Sequence, residues 1–334
     1  MLWTIELDAA GVLGDARIER ARVRNRQELS YRQAQDLAVS AGPDEPIGLL
    51  REIGERRLAL EAERGAVSLA LASQQVVRRN DGSYDVEYDE TLPAENRNAQ
   101  ISLLTGIAAS HIMIEGGVGL LRTLPRPGER TIGRLRRTAS ALGVEWPADI
   151  SYADLVRDLR GDTPQRAAML SQSARGLRGA GFVAFHDHDV PKQREHSAIA
   201  STYAHVTTPL RRLCDRFAND VLVALCAGKT PPAWAVEALD ELPSLMGRAR
   251  TRDRNLERAV VDFIEAVALE GSVGQTFNAV VTDVDHERNR GRIQLLSPAV
   301  VAHLPAAGLT LGDEVRVRLT HTDPVAGQVR FERA

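Results

Sequence analysis

Between Pro209 and Gly228 the residue pattern leaves room for little besides a helix. Apolar residues recur at 210, 213, 214, 217, 221, 224 and 225, a 3.6-residue period that no strand can use. Thr208 stands where a hydroxyl cap is wanted, Pro209 where a missing N–H costs nothing, and Gly228 where the helix must stop. An extended segment starting at His196 leads into it. The predicted first turn holds Arg211 and Arg212. Unpaired N–H groups and the positive end of the helix dipole point there, so each cation is disfavoured by roughly 0.3–1 kcal/mol unless an anion joins it. Two readings stay open: the arginines pair with carboxylates such as Asp215, or they receive a phosphate.

The net charge of −3 over 334 residues excludes a globally basic binder, and the length suggests two domains. Positive charge is nonetheless clustered. Arg122, Arg126, Arg130, Arg134, Arg136 and Arg137 face a single acid, Glu129, and a second cluster holds Arg248, Arg250, Arg252, Arg254 and Arg258. Each reads as a solvated face or as a set of phosphate contacts. Cys214 and Cys226 fall ~18 Å apart on one helix, too far to bridge. With no signal peptide and no long apolar run, the chain reads as soluble and cytoplasmic, with no membrane partner.

Met1 runs directly into the strand pattern LWTIELDA, and residues 16–23 alternate like its hairpin partner. A chain that opens inside a sheet reads as one beginning in mid-domain. Ser30 caps a short helix carrying Tyr31, and a long helix is predicted over 47–72. Residues 75–89 read as a hairpin turning at Asn80-Asp81-Gly82. Its acids Asp81, Asp85, Glu87 and Asp89 suit a solvated face better than a calcium loop. Residues 98–115 read as a helix buried on nearly every side, His111 included, and 119–127 as a loop carrying Arg122 and Arg126. Helices near 131–142, 151–160 and 164–178 precede a strand at 181–185. The run His186-Asp187-His188-Asp189 then lies in a loop with no fixed metal geometry. A loop at 230–234 leads to a helix over 244–270, where Glu257 borders Val260, Val261 and Ile264. That carboxylate is either an ion-pair member beside Arg254 and Arg258 or an acceptor facing a cleft. From 273 onward short alternating strands, with Gly291, Gly312 and Gly327 as punctuation, predict a small OB-type barrel. Its aromatics are few, Phe277 and Phe331.

The segment YAHVTTPLRRLCD at 203–215 resembles the Y-x-H-x-T-S-P-[IL]-R-[RK]-x-x-D box of the ribonuclease II (RNB) superfamily of 3′→5′ exoribonucleases. His196-Ser197-Ala198, NAQISLLTG at 98–106 and GVGLLRTLPRP at 117–127 fit the same family in order. The resemblance implies an α+β fold in which 1–270 form the C-terminal portion of an RNB catalytic domain, a mixed sheet packed with long helices. Residues 271–334 form the OB-type barrel. It also implies single-stranded RNA as partner and Mg2+-dependent hydrolysis to nucleoside monophosphates. Arg211 is similar to the arginine at the phosphate near the cleaved bond. Glu257 is similar to a glutamate holding the 3′-terminal nucleotide, and Tyr31 to a channel tyrosine. Arg122, Tyr203, His205, Thr208 and Arg212 complete the implied RNA-binding set. Thr208 replaces the usual serine, and neutral Asn98-Ala99-Gln100 replace an acidic pair. The family's D-x5-D-x-D-D metal signature occurs nowhere in the 334 residues, so the chain reads as lacking the metal-binding half and as inactive alone. A non-catalytic RNA-binding protein derived from the same fold, or a site for a small phosphorylated metabolite, are the alternatives.

Overall fold

The computed structural model describes every residue except 43–44, 70–72, 80–81, 83, 90, 160–162, 296 and 299. Alternating side chains pair β1 (Leu2–Leu7) with β2 (Leu13–Glu19), antiparallel, Trp3 opposite Ile18. The second strand starts earlier than the pattern suggests. Gly11, at φ 83°, closes a tight turn onto Asp8, whose carboxylate accepts the N–H groups of Ala10 and Val12. Helix α1 (Tyr31–Ser40) opens on a reciprocal capping box between Ser30 and Gln33. Helix α2 (Pro46–Glu63) starts at a proline and stops well short of 72, at Gly65 with φ 72°. The hairpin follows as β3 (Ser73–Arg78) and β4 (Tyr84–Asp89). Its turn residues Asn80 and Asp81, and the side chains of Asp85, Glu87 and Asp89, lie outside the described residues.

Helix α3 (Pro93–Glu115) ends at Gly116 and leads into β5 (Gly119–Thr123). Residues 119–123 are therefore a strand, not a loop. All five are buried, so no alternation betrays them, and the break comes only at Pro125. Next come α4 (Glu129–Ala141), α5 (Tyr152–Asp158, capped by Ser151) and α6 (Pro164–Ser173, capped by Thr163). Strand β6 (Gly181–Phe185) pairs antiparallel with β5, and β7 (Glu195–His196) pairs with β8 (Ser201–Thr202). Helices α7 (Leu213–Cys226), α8 (Ala233–Ala238) and α9 (Leu242–Leu269) complete the helical part. The barrel strands are β9 (Thr276–Asp285), β10 (Arg290–Leu295), β11 (Val301–Leu304), β12 (Glu314–Asp323) and β13 (Gln328–Arg333).

The chain divides into two compact units. One comprises Met1–Val67, Thr91–Arg126 and Leu177–Ala249. Within it α3 is the central helix, with α1, α2, α7, β2 and β5 packed on it. Its core gathers Ile18, Met113, Leu121, Phe185, Val206 and Leu222. The helix is not buried all round, because His111 is exposed and is no core residue. The other unit comprises Ser68–Glu90, Pro127–Gly176 and Arg250–Ala334. Its strands run in the order β11-β10-β9-β12-β13, every pair antiparallel, with β11 and β13 approaching each other so that the barrel nearly closes. Leu295, Val317 and Leu319 fill its core. Gly291 sits inside β10 and not at a turn, whereas Gly312 and Gly327 take the positive φ that turns require. Buried Gln172 of α6 donates to the Thr282 carbonyl at 2.7 Å, and buried Glu265 of α9 accepts the Val301 N–H at 3.1 Å.

Candidate nucleic-acid interface

The approach to α7 is a β-turn and not a helix cap. The Thr208 carbonyl accepts the N–H groups of Arg211 (3.2 Å) and Arg212 (3.0 Å), with Pro209 at the position a turn favours. The helix starts only at Leu213, so Thr208 is not its N-cap and Pro209 is not its first residue. The reason is Asp215, one turn into α7 and fully buried. Its Oδ2 accepts the Thr208 N–H at 2.7 Å, the Thr208 hydroxyl at 3.4 Å, and Arg212 Nε and Nη2 at 3.1 and 2.8 Å. A carboxylate in a helix's first turn also suits the dipole. It outcompetes a hydroxyl cap. Arg212 Nη2 donates in addition to Thr207 Oγ1 at 3.2 Å. The two arginines therefore divide. Arg212 occupies the N-cap position with its charge spent on Asp215. Arg211, on the turn, is exposed, and its guanidinium has no hydrogen bond or ion pair among the described residues. Of the two readings of the pair, the ion pair describes Arg212, and Arg211 alone keeps a free guanidinium.

An aromatic and cationic stack stands in the same unit. Arg122 on β5 lies opposite Phe182 on β6, its guanidinium 4.6 Å from the ring centroid, and the Arg122 backbone N–H donates to the Tyr203 carbonyl at 2.8 Å. Tyr203 meets His205 edge-to-face at 5.4 Å and His196 at 6.2 Å, and His205 meets Phe182 at 5.5 Å. Burial, then Arg212, Arg122, His196 and Arg211, hold the His205 pKa down at about 3. Burial and Arg122 lower that of His196 to about 4. Both rings are neutral at physiological pH, and each buries an Nδ1 with no hydrogen-bond partner. Burial first of all raises the Tyr203 phenol. Gly106 of α3 makes the stack possible, since a Cβ there would stand 2.0 Å from Tyr203 Cε2 and 2.6 Å from the Ala204 carbonyl oxygen. We expect Gly106→Ala to lose about 1–3 kcal/mol of stability, although alanine favours helix, because the close contact forces Tyr203 to move. A urea midpoint equal to or above wild type would contradict that.

The sequence singles out Arg122, Tyr203, His205, Thr208, Arg211 and Arg212, and the structure places all six in this unit. The sequence does not single out Phe182, His196 as a ring partner, or Gly106. A glycine inside a strong helix pattern was the available signal. Tyr31, first residue of α1, is exposed and accepts a hydrogen bond from Asn98 Nδ2 at 3.0 Å, with no contact to the stack among the described residues. Glu257 belongs to the other unit, where it stands exposed on α9, and Arg258 pairs with Asp262 instead. His186 meets Asp240 at 3.0 Å while His188 packs over Gly117, so the H-D-H-D run does not converge. A cavity of about 410 Å³ behind the turn touches Pro209, Asn219, Arg216 and Asp220. Phe277 and Phe331 meet edge-to-face at 6.0 Å against the barrel core, so they form no outward stacking platform.

Among the described residues, His205, Cys214 and Asp215 are the group whose ligand atoms lie close together, all within 4.8 Å. They do not fit Mg2+, which wants an oxygen shell built from carboxylates and water. Burial and Asp215 push the Cys214 thiol up to about 12, Asp215 is committed to Arg212 and Thr208, and three guanidinium groups bear on His205. The arrangement suits an anion.

The RNB domain model matches residues 1–228, and the RNase II-type exonuclease C-terminal S1 domain model matches residues 275–334. The chain belongs to the RNB family. Its relatives include the exosome complex exonuclease RRP44 homolog A of Arabidopsis thaliana, 22% identical over 271 residues, or 78% of this chain and 29% of that protein. RNase R of Mycoplasma genitalium, solved with ribose-methylated single-stranded RNA, superposes with a TM-score of 0.82 at 14% identity, covering 99% of this chain and 57% of that one. Yeast Ssd1, described as a pseudonuclease, gives 0.64 at 14% identity, covering 93% and 39%. The chain thus spans 57% of the RNase R chain and less of the other two. The RNB family is one of exoribonucleases, while the fold it shares with Ssd1 also occurs in a protein described as a pseudonuclease. Among the described residues no helix is long and apolar enough to cross a membrane.

Proposed function

We propose that this chain is the RNA-holding portion of an RNB-type 3′→5′ exoribonuclease that acts on single-stranded RNA in the cytoplasm and releases nucleoside monophosphates. Arg211 carries the reading, as a guanidinium left free on a turn that a buried carboxylate braces. It meets the phosphate near the cleaved bond and offsets charge gathering on it. The neutral rings of Tyr203, His205 and His196, with Arg122, form the supporting wall. Tyr31 and Glu257 hold the strand elsewhere. The family's Mg2+ would supply an activated water, but these residues do not fit that ion, so the chain alone binds RNA without cleaving it.

Titrating the chain into a labelled single-stranded RNA at low salt tests this. Wild type is expected to bind, and Arg211→Gln to bind about 10–100-fold more weakly, the worth of one charge-assisted hydrogen-bonding group. Unchanged binding by the variant would remove Arg211 from the site. Release of nucleoside monophosphates by the chain in Mg2+ would overturn its inactivity, and failure to bind RNA at low salt would favour a small phosphorylated metabolite.

The same donor set favours a second reading, a non-catalytic RNA-binding protein on the RNB fold. An in-frame D-x5-D-x-D-D upstream of Met1 in the genomic DNA supports the nuclease, and a stop codon close upstream supports the second reading.

A further inference from the structure

The structure sorts the first arginine cluster of the sequence. Arg122 is buried over Phe182. Arg126 faces Glu195 at 3.6 Å. Arg136 stacks on Trp146 at 4.5 Å and donates to the carbonyls of Trp146, Pro147, Ala148 and Ile150 at 3.1–3.4 Å, so its role is to hold the chain after α4. That leaves Arg130, Arg134 and Arg137. All three are exposed, and none of their guanidinium groups has a hydrogen bond or ion pair among the described residues. Positions i, i+4 and i+7 put them in one row along α4, about 10 Å from end to end. The opposite side of the helix buries Leu135 and Ala139.

Like charges at this spacing cost an isolated helix about 0.2–0.5 kcal/mol per pair. Nothing described on this unit returns that cost. We propose that the arginine row of α4 is a second contact surface for the RNA backbone, separate from the Arg211 turn and indifferent to base sequence; this rests on the RNA reading above. Charge complementarity selects a polyanion, and the planar guanidinium forks match phosphate oxygens. The composition of the helix selects nucleic acid over an acidic protein. Residues 129–141 expose no large hydrophobic side chain, whereas protein interfaces are anchored by buried aromatic and aliphatic groups. Phosphate contacts need no such anchor.

The test measures binding of a labelled oligo(U) RNA by the 334-residue chain across a salt series, for wild type, for Arg130→Gln/Arg134→Gln/Arg137→Gln, and for the matching triple lysine variant. Each phosphate contact on a single strand contributes about 0.7 to the slope of log K against log[salt], so the glutamine triple is expected to lower that slope by about 2. The lysine triple should keep it. The side chains are exposed, and circular dichroism checks that each variant stays folded. A glutamine triple with the wild-type slope overturns the proposal while leaving the RNA reading in place. A wild-type chain that binds no RNA at low salt overturns both. Tighter binding of a labelled poly-glutamate peptide than of RNA, lost in the glutamine triple, reassigns the row to an acidic protein.

Discussion

Asp215→Ala is expected to cost the protein about 3–5 kcal/mol, the range found when one partner of a buried ion pair is removed. The carboxylate is fully buried, and its Oδ2 collects four donors. Alanine leaves the Arg212 guanidinium, only about a fifth exposed, without its counter-charge, and leaves the Thr208 N–H without an acceptor. Urea denaturation reads the loss directly. Removing Arg212 as well should return part of it, because the stranded charge goes too. The residue of the loss then belongs to Thr208. RNA affinity should fall in Asp215→Ala although Arg211 is untouched, since the turn that presents Arg211 is tied down through Thr208. A loss below about 1 kcal/mol, within the range of an ordinary surface ion pair, would mean that the carboxylate does not brace the turn.

The same residue shows what a sequence can and cannot disclose. The apolar period of α7, the cap of α1, and the alternation of the barrel strands were all legible, because each depends on neighbours a few residues away. The start of α7 was not. Thr208 and Pro209 carry strong local cap preferences, and a buried carboxylate seven residues ahead overrides them. Strand β5 was missed for a different reason, since a segment covered on both faces has no polar phase to betray it. His111 reads as core from its apolar surroundings, yet the structure leaves it exposed on α3. Arg122, Tyr203 and His205 stand out in the sequence through the likeness of 203–215 and 117–127 to a family. That they stack, and that Gly106 makes room for them, depends on the pairing of β5 with β6 and the passage of 203–204 across α3, which only the fold supplies.

The stack also sets a pH dependence with a definite sign. In the unfolded chain a histidine titrates near 6.5, whereas in the fold His205 titrates at about 3 and His196 at about 4. Above about pH 6.5 both states are neutral at these residues and nothing changes. Below it the unfolded chain takes up protons that the fold refuses, so stability falls as the pH drops, until the folded values are reached. Within that window His205 contributes a slope of about 1.4 kcal/mol per pH unit, and the less buried His196 contributes less. Urea midpoints measured from pH 7 to pH 5 should therefore decline more steeply in wild type than in His205→Phe, by the equivalent of one proton. Phenylalanine keeps the edge-to-face contacts with Tyr203 and Phe182, and the Nδ1 it removes has no partner to lose. In NMR the His205 ring should hold a flat chemical shift through pH 6.5, and an ordinary titration there would show that the imidazole is reached by water. Single-stranded RNA adds a further constraint. A phosphate seated on Arg211 cancels one of the cations that depress His205, so the His205 pKa should rise when RNA binds and stay put in Arg211→Gln.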